Sequence, residues 1–267
     1  MVSLNNQGAK TSFVRGFQAI AMALLFVLAG FSSIARAGPP FITDDPEPVE
    51  YKHYEFYLAS QYTNSDDGIS GTAPHFELNY GVIPNVQLHM IAPCSYIKSN
   101  FELLQYGFGD TEFGIKYRFI QETAMCPQVG IFPLIEVPTG DTQRGLGNGF
   151  AKIFIPLWLQ KSWGSWTTYG GGGYWHNPGA DNKDYWFSGW EVQRDLSGTI
   201  TVGAELFYSS ASTPVGSDQT GFNIGAIVNF DEGHHLLFSA GRDFHGPGLF
   251  SLYLAYQWTF GPSVVKK

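Results

Sequence analysis

Charge is scarce in this chain. Only 14% of its 267 residues are Asp, Glu, Lys or Arg, against ~25% in an average soluble protein. Cysteine is nearly absent, with Cys94 and Cys126 alone, which excludes both a disulfide framework and a cysteine-rich metal site. After Gly38 there is no apolar run long enough to cross a membrane as a helix. Nor does any stretch hold the i, i+3, i+4, i+7 spacing of an amphipathic helix. Bases are outnumbered, 15 Lys and Arg against 23 Asp and Glu for a net charge of −8, and with no basic patch nucleic acid is excluded as a partner. What is plentiful is glycine, 32 residues, and aromatics, 16%. The mean hydropathy of −0.07 is that of neither a helical membrane protein nor a disordered one.

The N-terminus reads as a targeting segment. Lys10 and Arg15 precede the apolar stretch Phe17–Phe31, and Ala35-Arg36-Ala37 supplies an A-x-A cleavage site. Residues 1–37 are therefore expected to be a cleaved signal peptide. Its removal takes three bases and no acids, leaving the mature chain more acidic.

Beyond Gly38 the dominant period is two. Phe250, Leu252, Leu254, Tyr256, Trp258 and Phe260 fall on one face, with Ser251, Tyr253, Ala255, Gln257 and Thr259 on the other. Ile200 to Tyr208, Phe222 to Phe230 and Phe113 to Phe119 repeat the pattern. The same rule yields twelve strands, at 52–63, 74–80, 86–97, 108–120, 128–139, 150–161, 165–176, 184–194, 199–210, 219–230, 235–243 and 248–260. Connections after even-numbered strands are short, while those after odd-numbered strands are mostly longer and more polar, the last excepted. That asymmetry belongs to outer-membrane barrels, with tight periplasmic turns and longer external loops. The expected fold is thus all-β, a transmembrane antiparallel up-and-down barrel of about twelve strands. It spans residues 51–260, after a Pro-rich acidic leader (38–50) and before a short tail (261–267).

In such a barrel the uninterrupted apolar face meets lipid and the mixed face lines the lumen. The lumen-lining candidates are Glu55, Glu77, His89, Glu112, Lys116, Arg118, Glu136, Lys152, Glu191 and Glu205. Acids and bases share this set, so lumenal ion pairs that brace the wall are expected beside direct contact with solute. Twelve strands leave a narrow lumen that side chains or a terminal segment can constrict. Tyr54, Tyr80, Tyr117, Trp163, Trp166, Trp175, Trp186, Tyr208, Trp258 and Phe260 sit near strand ends, where amphipathic rings form girdles at the headgroup levels.

Four segments, GPPFITDDPEPVEYKHYEFYLAS (38–60), GFGDTEFGIKYRF (107–119), PLIEVPTGD with GLGNGF (133–150) and GWEVQRDLSGTITVGAEL (189–206), resemble the outer-membrane barrel family labelled "MetA-pathway of phenol degradation". The resemblance covers essentially the whole mature chain. It implies an outer-membrane channel or transporter in a Gram-negative bacterium, with passage of aromatic or other hydrophobic molecules carried only by the label. It supplies no catalytic residues. Partners implied are outer-membrane lipid, a small-molecule solute and the barrel-assembly machinery.

Other motifs have plain readings. Gly145–Gly149 resembles a phosphate-binding loop, but a strand rather than a helix follows it, so it is a loop. Gly170–Gly173 leaves room for curvature or for a neighbouring ring or segment in the lumen. His234-His235 lacks further ligands, and Asp44, Asp45 and Glu47, set among prolines, lack calcium-loop spacing, so neither metal nor cofactor is expected. The leader holding those acids either hangs in the periplasm or tucks into the lumen. Cys94 and Cys126 fall toward opposite ends of the barrel, beyond disulfide reach. The competing functions are a passive channel for small hydrophobic or aromatic compounds, a lipid-hydrolase-like barrel enzyme, and a structural or adhesion barrel. His89 with Glu77 is the nearest approach to a catalytic pair, without a nucleophile, so no enzyme is expected.

Overall fold

The computed structural model of the chain describes residues 39–100 and 102–262. The expected signal peptide, Gly38 and most of the tail lie outside the described residues. The strands are β1 (Tyr54–Ser65), β2 (Gly68–Ile83), β3 (Val86–Ser99), β4 (Gln105–Phe108), β5 (Thr111–Ile120), β6 (Gln128–Ile131) and β7 (Leu134–Val137). They continue with β8 (Lys152–Trp163), β9 (Trp166–His176), β10 (Tyr185–Asp195), β11 (Ile200–Ser209), β12 (Gln219–Asn229), β13 (His234–His245) and β14 (Phe250–Phe260). β4 and β5 both pair with β3, and β6 and β7 both pair with β5 and β8, so each couple is one interrupted wall strand. The wall therefore has twelve antiparallel strands. β1 pairs with β14 from Tyr54↔Phe260 to Asn64↔Phe250, which closes the barrel and leaves no edge.

Alternation fixes which side chain goes where. Leu206 is 61% exposed on the outer face while its neighbour Glu205 is 2% exposed on the inner one. The same inversion runs around the wall: Leu58, Phe76, Leu88, Ile115, Ile155, Ile224 and Leu254 point outward and exposed. Glu77, Asn79, Gln87, His89, Lys116, Gln160 and Asn223 are buried inside. A continuous apolar exterior of this size is unstable in water and matches a hydrocarbon surround. The inner polar groups stay buried because they bond to one another.

The second wall strand departs from the sequence expectation. Alternation sets its start at residue 74. In the structure β2 begins at Gly68 and runs through Pro74, with the register shifting between Thr72 and His75 on both sides. The proline is absorbed in a bulge. The expected ten-residue connection 64–73 becomes the two-residue turn Asp66-Asp67, so the first hairpin does not share the long connections of the loops at 138–151, 177–184 and 210–218.

Candidate functional site

The inner wall is built from the inward residue of each alternating pair. For orientation, the near end is where β1 begins and β14 stops. All ten lumen candidates lie on the inner face, half-buried or fully buried. Glu136 faces Lys152 across β7 and β8, Oε2 to Nζ at 2.6 Å. His89 Nε2 lies 3.0 Å from Glu112 Oε1, its Nδ1 2.7 Å from Asn79 Oδ1 and 3.7 Å from Glu77 Oε1. Asn79 in turn donates to Glu77 at 2.8 Å. The ring of His89 stands edge-on to Phe132, over whose face lies the Lys116 ammonium at 4.9 Å. Among the described residues the polar contacts of His89 go to an amide and two carboxylates. Glu55 accepts from the Tyr57 hydroxyl at 2.8 Å.

The remaining charged candidates meet the leader, which crosses the lumen. Glu205 accepts the backbone N–H groups of Ile42 (2.9 Å) and Thr43 (2.8 Å) together with the amide of Asn223 (2.6 Å). Lys116 donates to Asp44 Oδ1 at 2.9 Å and Asp45 Oδ2 at 3.2 Å. Glu47 receives Arg118 at 3.5 Å and the amides of Gln128 and Gln160, each at 3.1 Å. Val49 N–H donates to Gln87, and Ser239 donates to the carbonyl of Pro40. The leader therefore touches β3, β5, β6, β8, β11 and β13. Neither Glu191 oxygen has a hydrogen-bond partner among the described residues, although the side chain is fully buried and faces Glu205 across the ladder.

Glycines make the cradle. A Cβ at Gly189 would lie 2.0 Å from Thr43 Oγ1, and one at Gly203 would lie 2.9 Å from the Phe41 ring. A Cβ at Gly225 would meet the same ring at 3.1 Å, and one at Gly130 would meet Pro46 at 3.0 Å. These side chains are missing where the leader passes. The glycines of β9 serve different neighbours: a Cβ on Gly170 would come 2.5 Å from the ring of Trp190, and one on Gly171 would come 2.0 Å from the Leu157 carbonyl oxygen and 3.1 Å from the ring of the buried Trp158.

Above the leader, in the far half, lies a cavity of about 510 Å³. It is bounded by β1, β2, β3, β5, β7, β8, the break between β4 and β5, and the loop 138–151. That loop carries a short 3-10 turn at Thr142–Arg144 and the buried Leu146. Asp110, in the break between β4 and β5, holds it down by accepting from Gly140 N–H (2.9 Å) and Asn148 N–H (2.6 Å). The phosphate-loop lookalike of the sequence is part of this loop.

The aromatic positions divide. At the near end Tyr80, Tyr54 and Phe260 stack in turn, centroids 4.3 and 5.2 Å apart, and Trp258 tilts against Phe260 at 4.6 Å. Tyr117, Trp163, Trp166, Trp186 and Tyr208 are exposed on the outer face. Trp175 corrects the sequence expectation. It shares the inner face of β9 with Thr167 and Tyr169, stacks on Phe154 at 4.7 Å and lies under the Lys152 ammonium at 5.2 Å. Nearness to a strand end placed it in the girdle, whereas parity along β9 places it in the lumen.

His234 and His235 take opposite faces, the first with Asp231 at 2.8 Å and the second with Asn229 at 2.6 Å. Cys94 on β3 and Cys126 in the 121–127 connection are both free. What sequence reasoning missed is the pairing of Asp44, Asp45 and Glu47 with Lys116 and Arg118. The signal was present as an acidic leader facing a lumen that holds bases.

No protein-family model matches the chain, and no curated protein matches it in sequence. Among solved structures it is similar to the COG4313 outer membrane channel from Pseudomonas putida F1, with a TM-score of 0.68 at 16% identity over 84% of this chain and 100% of that one. The NanC porin gives a TM-score of 0.55 at 6% identity over 76% of this chain and 98% of that one. The translocator domain of the autotransporter NalP from Neisseria meningitidis gives 0.51 at 10% identity, over 94% of this chain and 98% of that one. At these identities the likeness is one of fold, that of an outer-membrane β-barrel.

Proposed function

We propose that this chain is an outer-membrane channel that passes small hydrophobic or aromatic compounds passively, with its leader residues 39–50 narrowing the path. The observation that carries the reading is the inverted barrel. Its apolar exterior fits a bilayer, and its polar, ion-paired interior contains a cavity reaching toward the far end. The channel-forming neighbours of the same fold support it, as does the resemblance of four segments to the phenol-degradation family. In this reading the near end is periplasmic, the far end is external, and Glu55, Glu77, His89, Glu112, Lys116, Arg118, Glu136, Lys152, Glu191 and Glu205 line the path or hold the leader across it. The outer-face aromatics sit at the headgroup levels, with lipid as their partner. Assembly is by the barrel-insertion machinery of a Gram-negative outer membrane.

Reconstitution tests the proposal. Purified protein in planar bilayers is expected to give discrete conductance steps, and uptake of small aromatics by a strain deleted for the gene is expected to fall. A tight bilayer together with unchanged uptake would refute it.

A further inference from the structure

From the chemistry of the far-half cavity we infer that it binds a small solute with an apolar body and a hydrogen-bond-donating end, an ammonium ahead of a hydroxyl, and that it rejects carboxylates. The inference rests on the channel reading for its role but on the cavity alone for its selectivity.

One rung of the wall sets the polarity. Across four neighbouring strands Ile91 pairs with Glu112, Glu112 with Glu136, and Glu136 with Lys152. All four line the cavity. Two carboxylates thus stand directly opposite each other on one face, an arrangement that is unfavourable unless positive charge or a donor lies between them. Lys152 answers only one of them, since its ammonium is 2.6 Å from Glu136 Oε2 and rests on the Trp175 ring. Glu112 is held through Oε1 by His89. Glu112 Oε2 and Glu136 Oε1 have no hydrogen-bond partner within the described residues, and they are acceptors only.

The third carboxylate on the cavity wall is Asp110, whose oxygens already take two backbone N–H groups. The cavity therefore presents spare acceptors and an uncompensated negative charge, and no spare cation. A bound carboxylate would meet the negative charge of Asp110, Glu112 and Glu136, set against the single ammonium of Lys152, with only neutral groups such as the Ser70, Thr72 and Ser95 hydroxyls to donate to it. The opposite wall is mixed, with an apolar strip. Along the inner face of β3, Gln87 and His89 near the leader give way to Ile91, Pro93, Ser95 and Ile97 at the cavity, Leu146 closes over from the loop, and Ser70, Thr72 and His75 of β2 line the side beyond. About 510 Å³ holds a single-ring molecule with room to turn. An apolar body lies against β3 and Leu146, and its donor end reaches Glu112 and Glu136.

The test uses three ligands with one ring and one methylene or carbonyl carbon: benzylamine, benzyl alcohol and benzoate. Their binding to the full protein in nanodiscs is measured by calorimetry at neutral pH, with empty nanodiscs subtracted. Benzylamine is expected to bind about ten-fold more tightly than benzoate, with benzyl alcohol between them. Glu112→Gln, which keeps the acceptor for His89 and removes the spare charge, is expected to narrow that ratio to about two-fold. Benzoate binding as tightly as benzylamine, or a ratio unchanged by Glu112→Gln, would overturn the inference, as would the failure of all three to bind. If Glu112→Gln does not fold, the wild-type ratio alone decides. Conductance in planar bilayers is read separately, so a protein that conducts without this preference refutes the cavity assignment and leaves the channel standing. One that binds with the preference but never conducts does the reverse.

Discussion

Lys116 shows how single residues hold the lumen together. Its ammonium is almost fully buried, carries bonds to Asp44 and the wholly buried Asp45, and sits on the face of Phe132. Removing one partner of such a group leaves the other charge buried and uncompensated, at a cost of about 3–5 kcal/mol. Lys116→Met is therefore expected to release the leader while leaving the wall intact. Limited proteolysis reads the release as new cleavage within 39–50, and an uncut leader would count against the role of Lys116. The glycine cradle gives an independent route to the same end. Gly189→Val places a methyl-bearing carbon 2.0 Å from Thr43 Oγ1, so it too is expected to expose the leader, without touching any charge.

At the scale of elements, the far-end loops are pinned by carboxylates, and two of the pins repeat one design. Asp184 accepts from the Tyr174 hydroxyl (2.9 Å) and Asn177 N–H (2.7 Å), and Asp218 from the Tyr208 hydroxyl (2.8 Å) and Ala211 N–H (2.9 Å). For Asp184 the Asn177 N–H, then the neighbouring His176 and Tyr174, hold the carboxyl below its ordinary range. For Asp218 the Tyr208 hydroxyl does so first and the Ala211 N–H second. With the folded value depressed, the pins contribute above the unfolded carboxylate pKa of ~3.9 and are lost as pH falls through the lower folded value. Pepsin is expected to cut the loops 177–184 and 210–218 slowly at pH 4 and much faster near pH 2. In Asp184→Asn and Asp218→Asn proteins that difference should largely vanish. The third pin, Asp110, holds the 138–151 loop, and Asp110→Ala is expected to speed trypsin cleavage after Arg144 several-fold. An unchanged rate would mean that the bonds of Arg144 to Gln105 and Tyr106 suffice.

For the whole molecule, closure and inversion were legible in the alternation of strands such as Phe250–Phe260, because in a barrel one face has a single destiny along its length. The fold class, the strand count and the inward set followed from that. Alternation could not show that β2 runs through Pro74, because a bulge interrupts the very period being read. Trp175 was misplaced not by alternation but by closeness to a strand end, which outweighed the parity of β9. Which of its two expected places the leader takes was illegible for a different reason. It has no period, and its bonds to the wall join residues 38 to 199 positions apart, from Val49 with Gln87 to Pro40 with Ser239. Only its acidic character, set against Lys116 and Arg118, hinted at where it goes.

The central claim is that the barrel is a conduit and that residues 39–50 narrow it. The most direct measurement is single-channel conductance in planar bilayers, comparing the intact protein with a form lacking residues 39–50, both first confirmed as folded barrels by heat-modifiable migration in gels. The deleted form keeps every strand from Tyr54 onward, so the wall still closes through β1 and β14. A clearly larger conductance after deletion is the predicted result. Equal conductance in the two forms, or none in either, would contradict the account.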